Sequence, residues 1–155
     1  MADEGFMTGA DPVAALQTAL AAEHAAIYGY GVAGARLPDD ARESARRLWE
    51  SHRTQRDQLT AVITARRARP VAAAAAYRLP VRVTSQRTAG TLLATLEERL
   101  ATAYLGLVGV DDLRLRALGA ASMQEAVTRA VRWRNGPLRS AFPGIGTGGL
   151  SPAPE

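Results

Sequence analysis

The sequence predicts an all-α protein of four long helices with one long connection between the second and third. Three observations carry this. Four stretches of the 155-residue chain repeat apolar residues every three to four positions, the spacing that lines one face of a helix. The prolines fall at the starts of these stretches, between them or after the last one, where helices begin and end. The connection over residues 70–83 is far longer than the others and is bracketed by Pro70 and Pro80.

Asp11 and Pro12 open the first helix, an N-cap acceptor followed by a proline at the first helical position. Residues 1–11 ahead of it read as a flexible start. The helix runs to about Leu37, and Val13, Leu16, Leu20, Glu23, Ile27, Tyr30 and Gly34 share its apolar stripe. Glu23 is the only charge there. Pro38 and Asp39 make a turn. Asp40 with Glu43 has the spacing of a capping box and opens a second helix that runs to Pro70. Its stripe is Ala45, Leu48, Trp49, His52, Arg56, Leu59 and Ile63, with two polar members one turn apart.

Residues 70–83, PVAAAAAYRLPVRV, read as extended, because Pro80 and the β-branched Val81 and Val83 outweigh the alanines. Extended, they span about 46 Å. The second helix is about 45 Å long, so this segment can carry the chain back along the whole bundle. The second and third helices then run parallel.

Ser85 can cap the third helix, which ends near Val108 with Leu93, Glu97, Leu100, Ala101, Tyr104 and Val108 on one stripe. Glu98 lies about 100° away and is expected in solvent. Gly109 to Asp112 is a short turn, so the third and fourth helices are antiparallel neighbours. On the fourth, Leu113, Ala117, Ala120, Gln124, Val127 and Val131 form the expected stripe, with Glu125 off it. Asn135-Gly136-Pro137 stops it. Leu138 to Ile145 is expected to pack back through Leu138 and Phe142, closing a bundle over 12–145, and 146–155 to be disordered. Four helices with one long central crossover are expected to form the ferritin-like four-helix bundle, with an up-down bundle and a wandering second loop as the alternative.

Several stretches together resemble a small actinobacterial ferritin-like domain family of unknown function. They are EHAAIYGYG at 23–31, HRTQRD at 52–57, PVAAAAAYRLP at 70–80, LEERLATAY at 96–104, and RW followed by AFPG within 132–144. The resemblance implies a ferritin-like bundle and brings no activity with it.

Composition excludes several chemistries. There is no Cys, hence no disulfide, thiolate metal site or cysteine nucleophile. The acidic start MADEGFMTGADP lacks the apolar core of a signal peptide, and no apolar run reaches the roughly 18 residues of a membrane span. A cytoplasmic protein is expected.

The polar residues of the stripes leave two readings of the interior. Ferritin-like di-metal centres take a Glu from each of two helices and a Glu-x-x-His pair from each of the other two. This chain offers Glu23, His52, Glu97 and either Gln124 or Glu125, and no Glu-x-x-His. That set offers at most two carboxylates and one imidazole to a metal, and the reading it supports is a mono- or di-iron (or manganese) oxidase or ferroxidase-like protein. The other reading, preferred here, is a non-catalytic buried network without cofactor. In it Arg56 sits between Glu23 and Glu97 beside His52 and balances their charge, and Tyr30, Tyr104 and Gln124 complete the hydrogen bonds.

Gly29-Tyr-Gly31-Val-Ala-Gly34 matches a dinucleotide fingerprint by letter only, because it lies inside a helix. Its glycines suggest close helix approach. All 19 basic residues are Arg and the net charge is +4. The second helix is rich in Arg46, Arg47, Arg53, Arg66, Arg67 and Arg69, but Asp39, Asp40, Glu43, Glu50 and Asp57 interleave them, so no nucleic-acid binding is expected. Tyr28 and Leu92 lie off their stripes and suggest a homodimer.

Overall fold

The computed structural model describes residues 9–135. They form four α-helices and no strand: α1 (Pro12–Gly34), α2 (Asp39–Ala65), α3 (Gln86–Val108) and α4 (Leu113–Arg134). The expected docking of Leu138 and Phe142, and the tail, lie outside the described residues.

The helix ends follow local chemistry. Asp11 caps α1 by accepting from Val13 N at 2.9 Å, with Pro12 as the first helical residue. Ser85 and Thr88 form a reciprocal capping box at α3. Asp112 accepts from Arg114 N and Leu115 N at α4, and Asn135 closes α4 in the left-handed region at φ 53°.

Two expected helix ends differ. Asp40 and Glu43 form no capping box; α2 starts at Asp39 after Pro38, without a side-chain cap. Asp39 and Asp40 instead occupy the first turn, where the helix dipole favours negative charge. The far end of α2 falls at Ala65, short of Pro70. Arg67 turns left-handed at φ 58°, its N–H bonds Thr64 O at 2.9 Å, and Ala68 N bonds Ile63 O at 3.3 Å. That is a Schellman stop built on arginine in place of glycine, and Ala68 packs onto the core as the motif's apolar contact.

The helices pack in antiparallel pairs. Trp49 Nε1 donates to Ile27 O at 3.1 Å across α1–α2. On α1–α3, Tyr104 meets Glu23 and Tyr30 meets Glu97. On α3–α4, Arg134 meets Glu98 while Gly119 meets Tyr104 and Leu107. Residues 68–85 contain no helix. Their path follows α1 upward: Gln17 bonds Arg69 O and Val71 N, Tyr28 lies against Tyr77, and Gly29 against Leu79. Leu79, Val81 and Val83 alternate inward between exposed Arg78, Pro80 and Arg82, the period of an extended chain.

The core is split in two. One cluster gathers Leu16, Leu20, Leu59, Ile63, Leu100, Tyr104, Leu107 and Leu115; the other gathers Tyr30, Leu37, Ala45, Leu92, Leu93 and Leu96. Leu92, expected to face a second subunit, is fully buried in the latter, and Tyr28 is covered by Tyr77 at 5.6 Å between ring centroids.

The stripe expected on the fourth helix is rotated. Leu113 is 73 % exposed and Val131 38 %, and Gln124 is exposed. The buried positions are Leu115, Gly119, Ala126 and Ala130. The cause is close approach to α3, which selects small residues. A Cβ on Gly119 would sit 2.7 Å from Leu107 Cβ and 2.9 Å from Tyr104 O. Of the three glycines of the α1 fingerprint, only Gly29 has a close neighbour, the tip of Leu96.

These contacts give opposite expectations for two Gly→Ala changes. Gly119→Ala meets backbone and Cβ atoms that cannot swing away, and should cost about 1–3 kcal/mol. Gly31→Ala meets nothing within 4 Å and should stabilise by about 0.5–1 kcal/mol through helix propensity. Urea unfolding midpoints read both; equal and opposite-signed departures from this pattern would refute the packing described for α3–α4.

Candidate functional site

Glu23, His52 and Glu97 are the buried charged or ionisable residues between the two apolar clusters, exposed by 2 %, 1 % and 0 %. Each takes the place of an apolar residue in its stripe: Glu23 one turn past Leu20, His52 one heptad past Ala45, Glu97 one turn past Leu93. Burial forces them to satisfy one another.

They do so through the imidazole. His52 Nδ1 lies 2.8 Å from Glu23 Oε2 and Nε2 lies 3.0 Å from Glu97 Oε1. A neutral imidazole carries one N–H, and two acceptors on opposite nitrogens require both to be protonated. Tyr104 donates to Glu23 Oε1 at 2.5 Å and Tyr30 to Glu97 Oε1 at 2.5 Å. Trp133 Nε1 then donates to the Tyr30 hydroxyl at 2.9 Å. A single hydrogen-bonded chain thus runs Trp133–Tyr30–Glu97–His52–Glu23–Tyr104 and draws on all four helices.

The electrostatics agree with this geometry. Burial alone pulls the His52 pKa down, but hydrogen bonds to Glu23 and Glu97, and their charges, outweigh it and hold it near 9. The Tyr30 and Tyr104 hydroxyls are pushed well up, first by burial and then by the carboxylates they face, so both stay donors.

Of the residues anticipated here, Glu23, His52, Glu97, Tyr30 and Tyr104 are brought together. Arg56 is not. Its guanidinium turns outward to Asp57, 2.7 Å from Oδ1, and is 28 % exposed. It flanks the stripe, and its neighbour Gln55 turns inward to reach Ser122 Oγ at 2.9 Å. The positive charge assigned to Arg56 is supplied by His52. Gln124 is exposed as well, because α4 turns Ser122 and Ala126 inward. Glu125 is paired with Arg129 at 3.0 Å. Glu98, expected in solvent, is half-buried on Arg134 at 2.5 Å.

The sequence reading also missed Trp133, although its Arg-Trp pair stood among the motifs; nothing in the apolar period marked it as interior. Beside the network is a cavity of about 20 Å³ lined by Ser51, Gln55, Ser122 and Arg129 with the three core residues, space for about one water molecule. Glu97 Oε2 is buried with no partner among the described residues.

As metal ligands these residues fit poorly. A metal-bound imidazole gives up a ring lone pair and directs its other N–H to an acceptor. Here both ring nitrogens already face carboxylates, one on each side. No group of three His, Cys, Asp or Glu among the described residues is placed to hold an ion.

Comparison with known proteins places the chain. The sequence profile of a domain of unknown function, DUF4439, matches residues 15–147, and the chain belongs to that family. The crystal structure of a conserved hypothetical protein, Rv2844, from Mycobacterium tuberculosis is similar with a TM-score of 0.76 and 34 % identity, over 79 % of this chain and 93 % of that one. No curated protein matches.

Two expectations follow. Because folded His52 holds its proton more tightly than an unfolded histidine, its contribution, about 3 kcal/mol for a rise from 6.5 to about 9, is complete below the unfolded pKa and lost as pH rises through the folded one. Unfolding free energy measured in urea should therefore fall from about pH 6.5 to about pH 9, and a His52→Gln protein, weaker throughout, should lose that slope. A wild-type profile flat over this range would contradict the protonated imidazole. Arg56→Leu should change stability by no more than about 0.5 kcal/mol, as for other exposed ion pairs; a loss of several kcal/mol would restore Arg56 to the interior.

Proposed function

We propose that the chain is a ferritin-like four-helix bundle whose interior holds a carboxylate–imidazolium–carboxylate network in place of a metal centre, and that it acts without catalysis of its own. Supporting the ferritin-like connectivity, α2 and α3 each run antiparallel to α1 and hence parallel to each other, and residues 68–85 follow α1 between them. The observation that carries the network reading is the double engagement of His52, at 2.8 and 3.0 Å. A cation at this position has to displace a ring proton and rotate the imidazole off at least one carboxylate.

The second reading, a mononuclear iron or manganese protein, draws on the unpartnered Glu97 Oε2 and the small cavity beside it. Loading there would convert His52 from donor to ligand.

No nucleic-acid role is proposed. Acids interleave the arginines of α2, and Arg47, Arg53 and Arg66 are paired with Glu43, Glu50 and Asp112. No helix among the described residues is long and apolar enough to cross a membrane. A homodimer needs a surface other than Leu92 and Tyr28; among the described residues Leu113 is the most exposed large apolar residue.

Metal analysis of protein purified without a histidine tag separates the two readings. The network reading expects iron and manganese well below one per chain and a melting temperature unmoved by chelator. Stoichiometric metal with a melting temperature that falls on chelation would replace it with the metal reading.

A further inference from the structure

Trp133 belongs to the buried chain and also lines a surface groove. Its indole N–H points inward to Tyr30, while its ring lines a cleft of about 400 Å³ between the N-terminal half of α2 and the C-terminal half of α4. Clefts of this size suit small ligands. Its apolar lining is Ala41, Leu48 and Trp133. Its charged lining is Arg47, Arg129 and Arg132 against one acid, Asp40.

The arginines differ in availability. Arg129 is committed to Glu125 at 3.0 Å and reaches Ser51. Arg47 is held by Glu43 at 3.6 Å, with both side chains more than half exposed, an ion pair that costs little to exchange. Arg132 is exposed, its side chain makes no hydrogen bond or ion pair within the described residues, and it lines the groove together with the indole. A guanidinium beside a flat aromatic wall is a site for an acid group attached to a flat apolar body: the guanidinium takes the acid in a forked hydrogen bond and the ring takes the body.

We propose that this groove binds a small amphipathic organic anion, its acid group on Arg132 and Arg47 and its apolar body against Trp133, Leu48 and Ala41. The chain's own residues beyond Asn135 are a poor match. Residues 136–155 are mostly apolar or small, and their two charged side chains are Arg139, of the same sign as the walls, and Glu155 at the far end, sixteen positions from Arg139.

Naphthoate, an aromatic carboxylate, is a direct probe. The isotope-labelled full-length chain is titrated with it at neutral pH, and the Trp133 indole resonance, assigned with a Trp49→Phe variant, is followed. The expected result is a saturable shift of that resonance. Naphthalenemethanol, the uncharged analogue, should bind at least about tenfold more weakly, as should naphthoate to Arg132→Glu, a tenfold loss being what about 1.4 kcal/mol of one contact gives. Circular dichroism establishes that Arg132→Glu is folded, and Arg47→Glu gives a second, independent reading at the other wall. Equal affinity for acid and alcohol, or indifference to both charge reversals, would overturn the proposal. So would tighter naphthoate binding in Phe142→Asp full-length protein, which would make the chain's own C-terminal segment the groove's occupant.

Discussion

The imidazole of His52 between two carboxyl groups is the interaction on which this structure depends. It lies where the two apolar clusters would otherwise join, and it brings three of the four helices to one point. Burial of such groups is expensive. Here the cost is offset because nearly every lone pair and proton is used: both ring nitrogens, both oxygens of Glu23, one oxygen of Glu97 and both tyrosine hydroxyls. An apolar core of the same volume could be as stable. What the network adds is direction, because hydrogen bonds at these lengths tolerate little rotation of the helices that carry them. α1 is pinned twice, at Glu23 and at Tyr30, two turns apart.

The pinned arrangement explains why most of the interior could be read from the chain and why one helix could not. A lone Glu or His inside an otherwise apolar stripe is conspicuous, so Glu23, His52 and Glu97 stood out, and the tyrosines followed from their place on the same stripes. Capping signals at Asp11 and Ser85 were equally plain. Arg56 failed because it lies one turn beyond His52 on the margin of the stripe, where a long side chain can turn either way. The choice is settled by Ser122 on α4, which takes Gln55. The fourth helix failed for a different reason. Its apolar period does not mark the buried face: Leu115 is buried, but beyond it close approach to α3 favours small residues, so that Gly119, Ala126 and Ala130 face inward while Leu113 faces out. Hydrophobicity reports distance from water, and it does not report how near the neighbouring backbone comes. That quantity belongs to the pair of helices and is not written in either one.

Membership in the DUF4439 family and the likeness to the mycobacterial protein set the fold's context without an activity. The chemistry of the interior narrows what can be asked of it. Ferritin-like metal centres hold their carboxylates around a cation. Under the network reading proposed above, that place is taken by the His52 imidazole, which belongs to α2 and meets a carboxyl group at each ring nitrogen.

Trp133 then stands at a boundary. Its N–H completes the acceptor side of Tyr30, and Tyr30 in turn holds Glu97 against His52, while the same ring forms part of the wall of a basic, apolar-floored groove. A displacement of the indole by something lodged against it would loosen its bond to Tyr30 first. The effect would pass inward along directed hydrogen bonds, where small shifts weaken contacts steeply, and not through the compliant packing of aliphatic side chains. The buried network and the surface groove therefore share one residue, a tryptophan near the end of α4, two residues before the chain turns left-handed at Asn135.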